Sequence, residues 1–213
     1  MKNNILIILL IFSQIFILNN ISAKEIEFNA SDIEITNNQN LTIANNAIVT
    51  IKEDEIIVEG LKIQYFKDQS LIIVKNGKIS KIDKNLIINS DIIEYYINDG
   101  KLNFKDKVKI NDKRNNLIIH SNKIHYDIKN ETIVGQENSK ILDEFENIYN
   151  VNEFEYSAEN KIVRLTNVKV LDKNKDSFQF NIAYLDLINK ELVAKDIKLN
   201  FKISENSENE PRL

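Results

Sequence analysis

The sequence predicts an all-β protein, an antiparallel β-jellyroll solenoid of about twelve strands in six two-strand repeats, open at both ends. Three observations predict it: the composition, an even repeat of about thirty residues, and a reversal of side-chain parity inside every repeat. Of the 213 residues, Ile is roughly 18% and Asn roughly 15%, far above ordinary usage. Ile is β-branched and suits a pleated strand, whereas Asn suits tight turns, so the pairing reads as many strands parted by many turns. With 43% hydrophobic and 28% charged residues the chain has enough apolar surface for a core, which excludes wholesale disorder. At this length it is one domain. The absence of Cys excludes a disulfide scaffold, a thiolate zinc site and a Cys nucleophile.

The chain opens on a segment of a different kind. Lys2 is followed by the almost wholly apolar run Ile5 to Leu18 and then by Asn19 to Ala23, a polar stretch ending in a small residue. This is the layout of a secretory signal peptide cleaved after Ala23. A helix of ~14 apolar residues rises only about 21 Å against a hydrocarbon core of ~30 Å, which favours cleavage over the alternative of an uncleaved anchor. The divisions are therefore 1–23 signal peptide, 24–203 β-jellyroll domain and 204–213 acidic polar tail.

Within the domain, six segments share one pattern: 30–35, 60–65, 90–95, 121–126, 151–156 and 182–187. Each begins on a small or β-branched residue and ends apolar, polar, then apolar or Tyr. A second motif, most often with Lys at its centre, lies between them: Ala47-Ile-Val49, Gly77-Lys-Ile79, Val108-Lys-Ile110, Ser139-Lys-Ile141, Val168-Lys-Val170 and Ile197-Lys-Leu199. Turn residues such as Lys67-Asp68, Asn98-Asp99-Gly100 and Lys129-Asn130 separate the halves, so each repeat reads as a hairpin. Before the small residue the apolar positions share its parity (Val58 with Gly60, Ile88 with Ser90, Ile119 with Ser121). After it they reverse (Ile63 and Tyr65, Ile93 and Tyr95, Ile124 and Tyr126). A flat strand sends these two sets to opposite faces. A bend at the small residue returns them to one interior, as where a strand passes from one sheet to a facing one.

The candidate interior positions are Ile33, Ile35, Ile63, Tyr65, Ile93, Tyr95, Ile124, Tyr126, Phe154, Tyr156, Leu185 and Leu187 from the first motif, and Val49, Ile79, Ile110, Ile141, Val170 and Leu199 from the second. The aligned tyrosines suit core packing or a binding ladder, and the two coincide if the core is itself the site. No catalytic constellation is visible: His120 and His125 lie on either side of a bend, no glycine-rich phosphate loop exists, and carboxylates fall on the solvent parity. An enzyme, a metal site and a cofactor are not expected. Charges of both signs are interspersed, with 28 Lys+Arg against 32 Asp+Glu, so no basic stripe and no nucleic-acid partner is expected.

The pattern of small residue, two residues, Ile, one residue, Tyr, together with the Gly77-Lys-Ile79 type of element, resembles the OstA-like domains of the bacterial lipopolysaccharide-transport system. That family comprises the periplasmic LptA, the anchored LptC and the N-terminal domain of LptD. The resemblance covers Glu25 to Ile203, and Glu208-Asn-Glu-Pro-Arg-Leu213 resembles the segment that joins the LptD domain to its barrel. It implies a periplasmic carrier whose interior residues, those named above, hold lipid acyl chains. The partners it implies are lipopolysaccharide and sister domains (or further copies of the chain) paired edge to edge, with only indirect membrane contact. The reading from another class is an exported structural or adhesive β-solenoid with a dry core.

Overall fold

The computed structural model describes residues 24–36 and 38–195, and the backbone of 198–200. The segment 1–23, the tail 204–213 and the ending Glu208 to Leu213 lie outside the described residues, as does the side chain of Leu199. Fourteen strand segments form one antiparallel sheet: β1 (Ile26–Asn29), β2 (Asp32–Thr36), β3 (Leu41–Ile51), β4 (Ile56–Phe66), β5 (Leu71–Lys81), β6 (Leu86–Tyr96), β7 (Lys101–Asp112), β8 (Leu117–Asp127), β9 (Thr132–Leu142), β10 (Ile148–Ser157), β11 (Ile162–Leu171), β12 (Ser177–Asp186), β13 (Glu191–Lys195) and β14 (Lys198–Asn200). From β3 to β12 each strand pairs with its sequence neighbours. At one end β1 and β2 both pair with β3, and at the other β13 and β14 both pair with β12. Each terminal pair is thus one long strand cut at its bend, and with the ten unbroken strands this makes the expected twelve.

The parity reversal is present in the burial. On β4, Ile56, Val58 and Ile63 are buried; on β6, Ile88, Ser90, Ile93 and Tyr95; on β8, Ile119, Ser121, Ile124 and Tyr126; on β10, Tyr149, Val151, Phe154 and Tyr156. The odd strands bend by another device. Asn46, Asn76 and Asn167 take left-handed backbone (φ 45°, 49° and 50°) at the corners of β3, β5 and β11. On β7 and β9 two successive residues do so, Asp106 with Lys107 and Glu137 with Asn138. There the register slips against both neighbours, which marks an extra residue in the odd strand. Asn tolerates this conformation better than most residues, which accounts for part of its excess.

Much of the rest is in the hairpin turns. Asp83, Asp112, Asp127, Asp143, Asp172 and Asp186 each accept backbone N–H bonds from the following residues. The partner Asn85, Asn115, Asn130, Asn147, Asn174 or Asn189 donates its side-chain amide back to the same carboxylate. Bonding to the Asn85 backbone amide holds the Asp83 carboxyl below its usual range, and the Asn189 backbone and side-chain amides do the same for Asp186. A carboxyl depressed in the folded state contributes stability above its unfolded pKa and loses it as pH falls through the folded value. Between about pH 6 and pH 3, therefore, an Asp83→Asn/Asp186→Asn variant should lose less stability than the parent chain, as read by urea unfolding at each pH.

Successive turns are also stitched along two rows. In the row joining even to odd strands, Ile97 donates to Ser70 O, Ile128 to Gly100 O, Ala158 to Glu131 O and Leu187 to Lys161 O, each at 2.9 Å. In the opposite row, Ile82 donates to Glu55 O at 2.9 Å and Lys113 to Asn85 O at 2.8 Å. Each strand runs from one row of turns, through the bend, to the other row. Bonds between the rows then show that the two half-sheets face each other: the Tyr95 hydroxyl beside the first row donates to Asp54 in the second, and Tyr156 likewise donates to Asp112.

Candidate functional site

The interior between the half-sheets is apolar along its length. Of the predicted interior positions, Val49, Ile63, Ile79, Ile93, Tyr95, Ile110, Ile124, Tyr126, Ile141, Phe154 and Tyr156 are all at 2% exposure or less, so the central repeats are filled by their own side chains. Val170 and Leu185 are buried towards the β12 end, while Tyr65 and Leu187 are partly buried and pack on the core. Ile33 and Ile35 depart from the expectation of an enclosed interior. They are 45% and 61% exposed: β2 belongs to the terminal strand, and no further repeat covers it among the described residues. Tyr65 near that end is tilted against Phe28, with ring centroids 6.1 Å apart.

Glycine permits the tightest approaches in this interior. A Cβ on Gly135 would lie 2.0 Å from the ring of Phe154, its cross-strand partner. The paired Gly60 and Gly77 meet Val74 in the same way, at 2.3 and 2.5 Å.

At the β12 end the packing opens into a cavity of about 350 Å³. Three predicted positions line it, Val170, Leu185 and Leu187, together with Leu117, Tyr149, Phe178, Phe180 and Leu192, which lie outside the two sequence motifs. Leu192 and Phe178 escaped because the last repeat is degenerate, although Phe178 shares the parity of Phe180. The mouth is polar. Lys190 forms an ion pair with Glu144 at 2.7 Å and stands 5.4 Å over the Phe145 ring. Asp143, Asp172 and Asp186 also border it, each carboxylate engaged by its own turn, and Asp143 additionally accepts from Tyr149 at 2.8 Å.

The long slit between the two rows of turns is bridged at intervals. Lys24 reaches Asp54 at 2.6 Å and the Ile97 carbonyl at 2.8 Å, beside the Tyr95 to Asp54 bond. Further along, Lys81 faces Glu131 at 3.6 Å, and Tyr156 is held by Asp112 and by Asn115 at 2.6 Å. The Lys190 to Glu144 pair closes the series. Burial, reinforced by these carboxylates, raises the Tyr95 and Tyr156 hydroxyls well above their usual pKa, so both stay protonated donors.

Neither histidine joins a site. His120 and His125 lie on the outer faces of different half-sheets, His125 Nδ1 sits 2.6 Å from Asn103 Oδ1, and burial lowers both below their usual pKa. Among the described residues no group of three or more His, Asp or Glu is placed to hold a metal ion. The chain therefore offers an apolar receptacle with a polar mouth.

No family model and no curated protein matches the chain. Among solved structures, one that is similar is the crystal structure of LptH, the LptA homologous periplasmic component of the conserved lipopolysaccharide transport device from Pseudomonas aeruginosa. The match has 12% sequence identity and a TM-score of 0.28, and covers 67% of this chain and 82% of that one. The fold assignment rests on the strand register and burial of this chain itself.

Proposed function

We propose that this chain is a periplasmic lipid carrier that binds lipopolysaccharide through its acyl chains and hands it on between sister domains towards the outer membrane. The observation that carries this reading is the apolar cavity at the β12 end, continuous with the interior and bordered by polar groups. Its volume of about 350 Å³ takes roughly a dozen methylene groups, each close to the ~30 Å³ that a water occupies in the liquid. Burial at ~0.8 kcal/mol per CH₂ supplies affinity with no enzymatic chemistry. Because the central repeats are filled, an acyl chain occupies the open end first and extends inward only where the half-sheets part. The layout of residues 1–23 supports export. The edges of β1/β2 and β13/β14, which no further strand pairs among the described residues, are suited to pairing with the edge of another domain.

A photo-crosslinking side chain at Leu187 or Leu192 should capture lipopolysaccharide, whereas the same probe at Tyr184, exposed on the outer face, should not. Equal labelling at all three would sink the reading. The filled central core favours one competitor, an exported structural solenoid with a dry interior. Mass spectrometry of the purified protein separates the two, since a carrier brings lipid with it and a dry solenoid does not.

A further inference from the structure

The second sequence motif has a consequence on the outside of the molecule. Its central lysines come into register: Lys78 pairs with Asn89, Asn89 with Lys109, Lys109 with His120 and His120 with Lys140. The row continues through Asn150 to Lys169 and Gln179, and the backbone pairing of Gln179 brings in Lys198. One half-sheet thus carries a line of lysines on alternate strands, ~9.5 Å apart at two strand spacings, with uncharged or weakly basic residues between them. Charges that are interspersed along the chain are sorted by the pleat into a basic stripe, contrary to the expectation from sequence order.

Glu59 neutralises Lys78 at 2.7 Å and Asp91 pairs with Lys107 at 3.0 Å, but no ion pair engages Lys109, Lys140 or Lys169 among the described residues. Burial first, and then the charges of Lys109 and Lys140, lower the pKa of His120 between them, as a positive field does.

Beside this row, two residues away on each strand, runs a mostly aliphatic one, bounded by Ser80 and Ser177 and interrupted by Asn111. Ile87, Ile118, Leu142, Ile148 and Leu171 are partly exposed on the same outer face. At the β3 to β4 end the face also carries Ile48 and Leu61, which are 43% and 68% exposed. We propose that this outer face docks on an anionic lipid bilayer, its lysines at the headgroups and its aliphatic row in the interfacial layer. Basic and aliphatic rows side by side suit such a surface, whereas a soluble polyanion would use only the lysines. Sheet twist turns successive strands, so a flat surface meets two or three of the lysines at once, which makes the contact weak, peripheral and salt-sensitive. This contact is direct and independent of what the interior holds.

The test uses the chain from Lys24 to Leu213, which contains every described strand, and vesicles of phosphatidylcholine with or without about a third phosphatidylglycerol. Co-sedimentation at low salt should occur only with the anionic vesicles and should fall at least tenfold in Lys109→Gln/Lys140→Gln/Lys169→Gln. It should be kept by Lys62→Gln/Lys75→Gln/Lys123→Gln, whose lysines are on the other half-sheet. Circular dichroism checks that each variant is folded. Ile118→Ser/Leu142→Ser should weaken vesicle binding several-fold while leaving retention on a heparin column unchanged. No preference for anionic vesicles, equal loss in both lysine variants, or vesicle binding indifferent to Ile118 and Leu142 would overturn the proposal, the last pointing to a soluble polyanion instead.

Discussion

Asp112→Ala is expected to lower the unfolding free energy by about 3 kcal/mol. Asp112 is 4% exposed and ends β7 at the point where the strand enters its turn. One carboxylate oxygen accepts from the backbone amides of Arg114 at 3.0 Å and Asn115 at 3.2 Å. The other accepts from the Asn115 side chain at 2.9 Å and from the hydroxyl of Tyr156. Removing it loses the turn bonds, each worth about 1 kcal/mol, and strands a hydroxyl donor at 0% exposure, at a cost of about 1–3 kcal/mol. Asp112→Asn keeps an acceptor and should cost about half as much. In Asp112→Ala/Tyr156→Phe the stranded donor is gone, so the loss should be smaller than the sum of the two single losses. Urea unfolding of the four proteins measures this, and additive losses, or a loss under about 1 kcal/mol for Asp112→Ala, would show that the bond across the slit is inert.

The second large effect belongs to Gly135. Its φ is not left-handed, since Gly100 is the only glycine of that kind among those described, so the requirement is for space and not for backbone freedom. A Cβ would meet three atoms of the Phe154 ring at 2.0, 2.6 and 2.6 Å, inside a core where Phe154 is 2% exposed. Gly135→Ala should therefore destabilise by about 2–3 kcal/mol through overpacking, despite placing a better strand former there. Phe154→Leu, which vacates that volume at its own cost of about 1 kcal/mol, should rescue it, leaving the double variant more stable than Gly135→Ala alone. Thermal and urea unfolding would expose a wrong assignment as a double variant worse than either single one.

The fold was legible in the sequence because a repeat multiplies a weak signal. The parity reversal after Gly60, Ser90, Ser121 and Val151 is a one-residue effect seen in successive copies, and the burial of those strands follows it. The odd strands were less legible. On β7 and β9 the buried positions step by four across the bend, from Phe104 to Val108 and from Gly135 to Ser139, and so show no reversal. The extra left-handed residue restores the face that parity alone cannot report. A signal was nonetheless available, since Asn46, Asn76, Asn138 and Asn167 each stand directly before a copy of the second motif.

The candidate site was legible only as an interior. Period and parity place Ile93 and Ile33 in the same class, yet one is sealed and the other 45% exposed, because exposure at an end depends on which repeat has no neighbour. The bridges across the slit were invisible for a different reason. Tyr95 and Asp54 are 41 residues apart, Tyr156 and Asp112 are 44 apart, and neither spacing is a multiple of the repeat.

Those bridges bear on how any guest moves. A closed barrel admits a long molecule only by threading, and the work of threading grows with the length inserted. Among the described residues the two rims are joined only through side chains, with the backbone ladders running along each rim and around the bend. Parting the rims at one place ruptures one bridge and leaves every ladder bond intact. The slit behaves like a row of snap fasteners, and the toll for sideways passage is set by the fasteners undone at that moment and not by the length of the passenger.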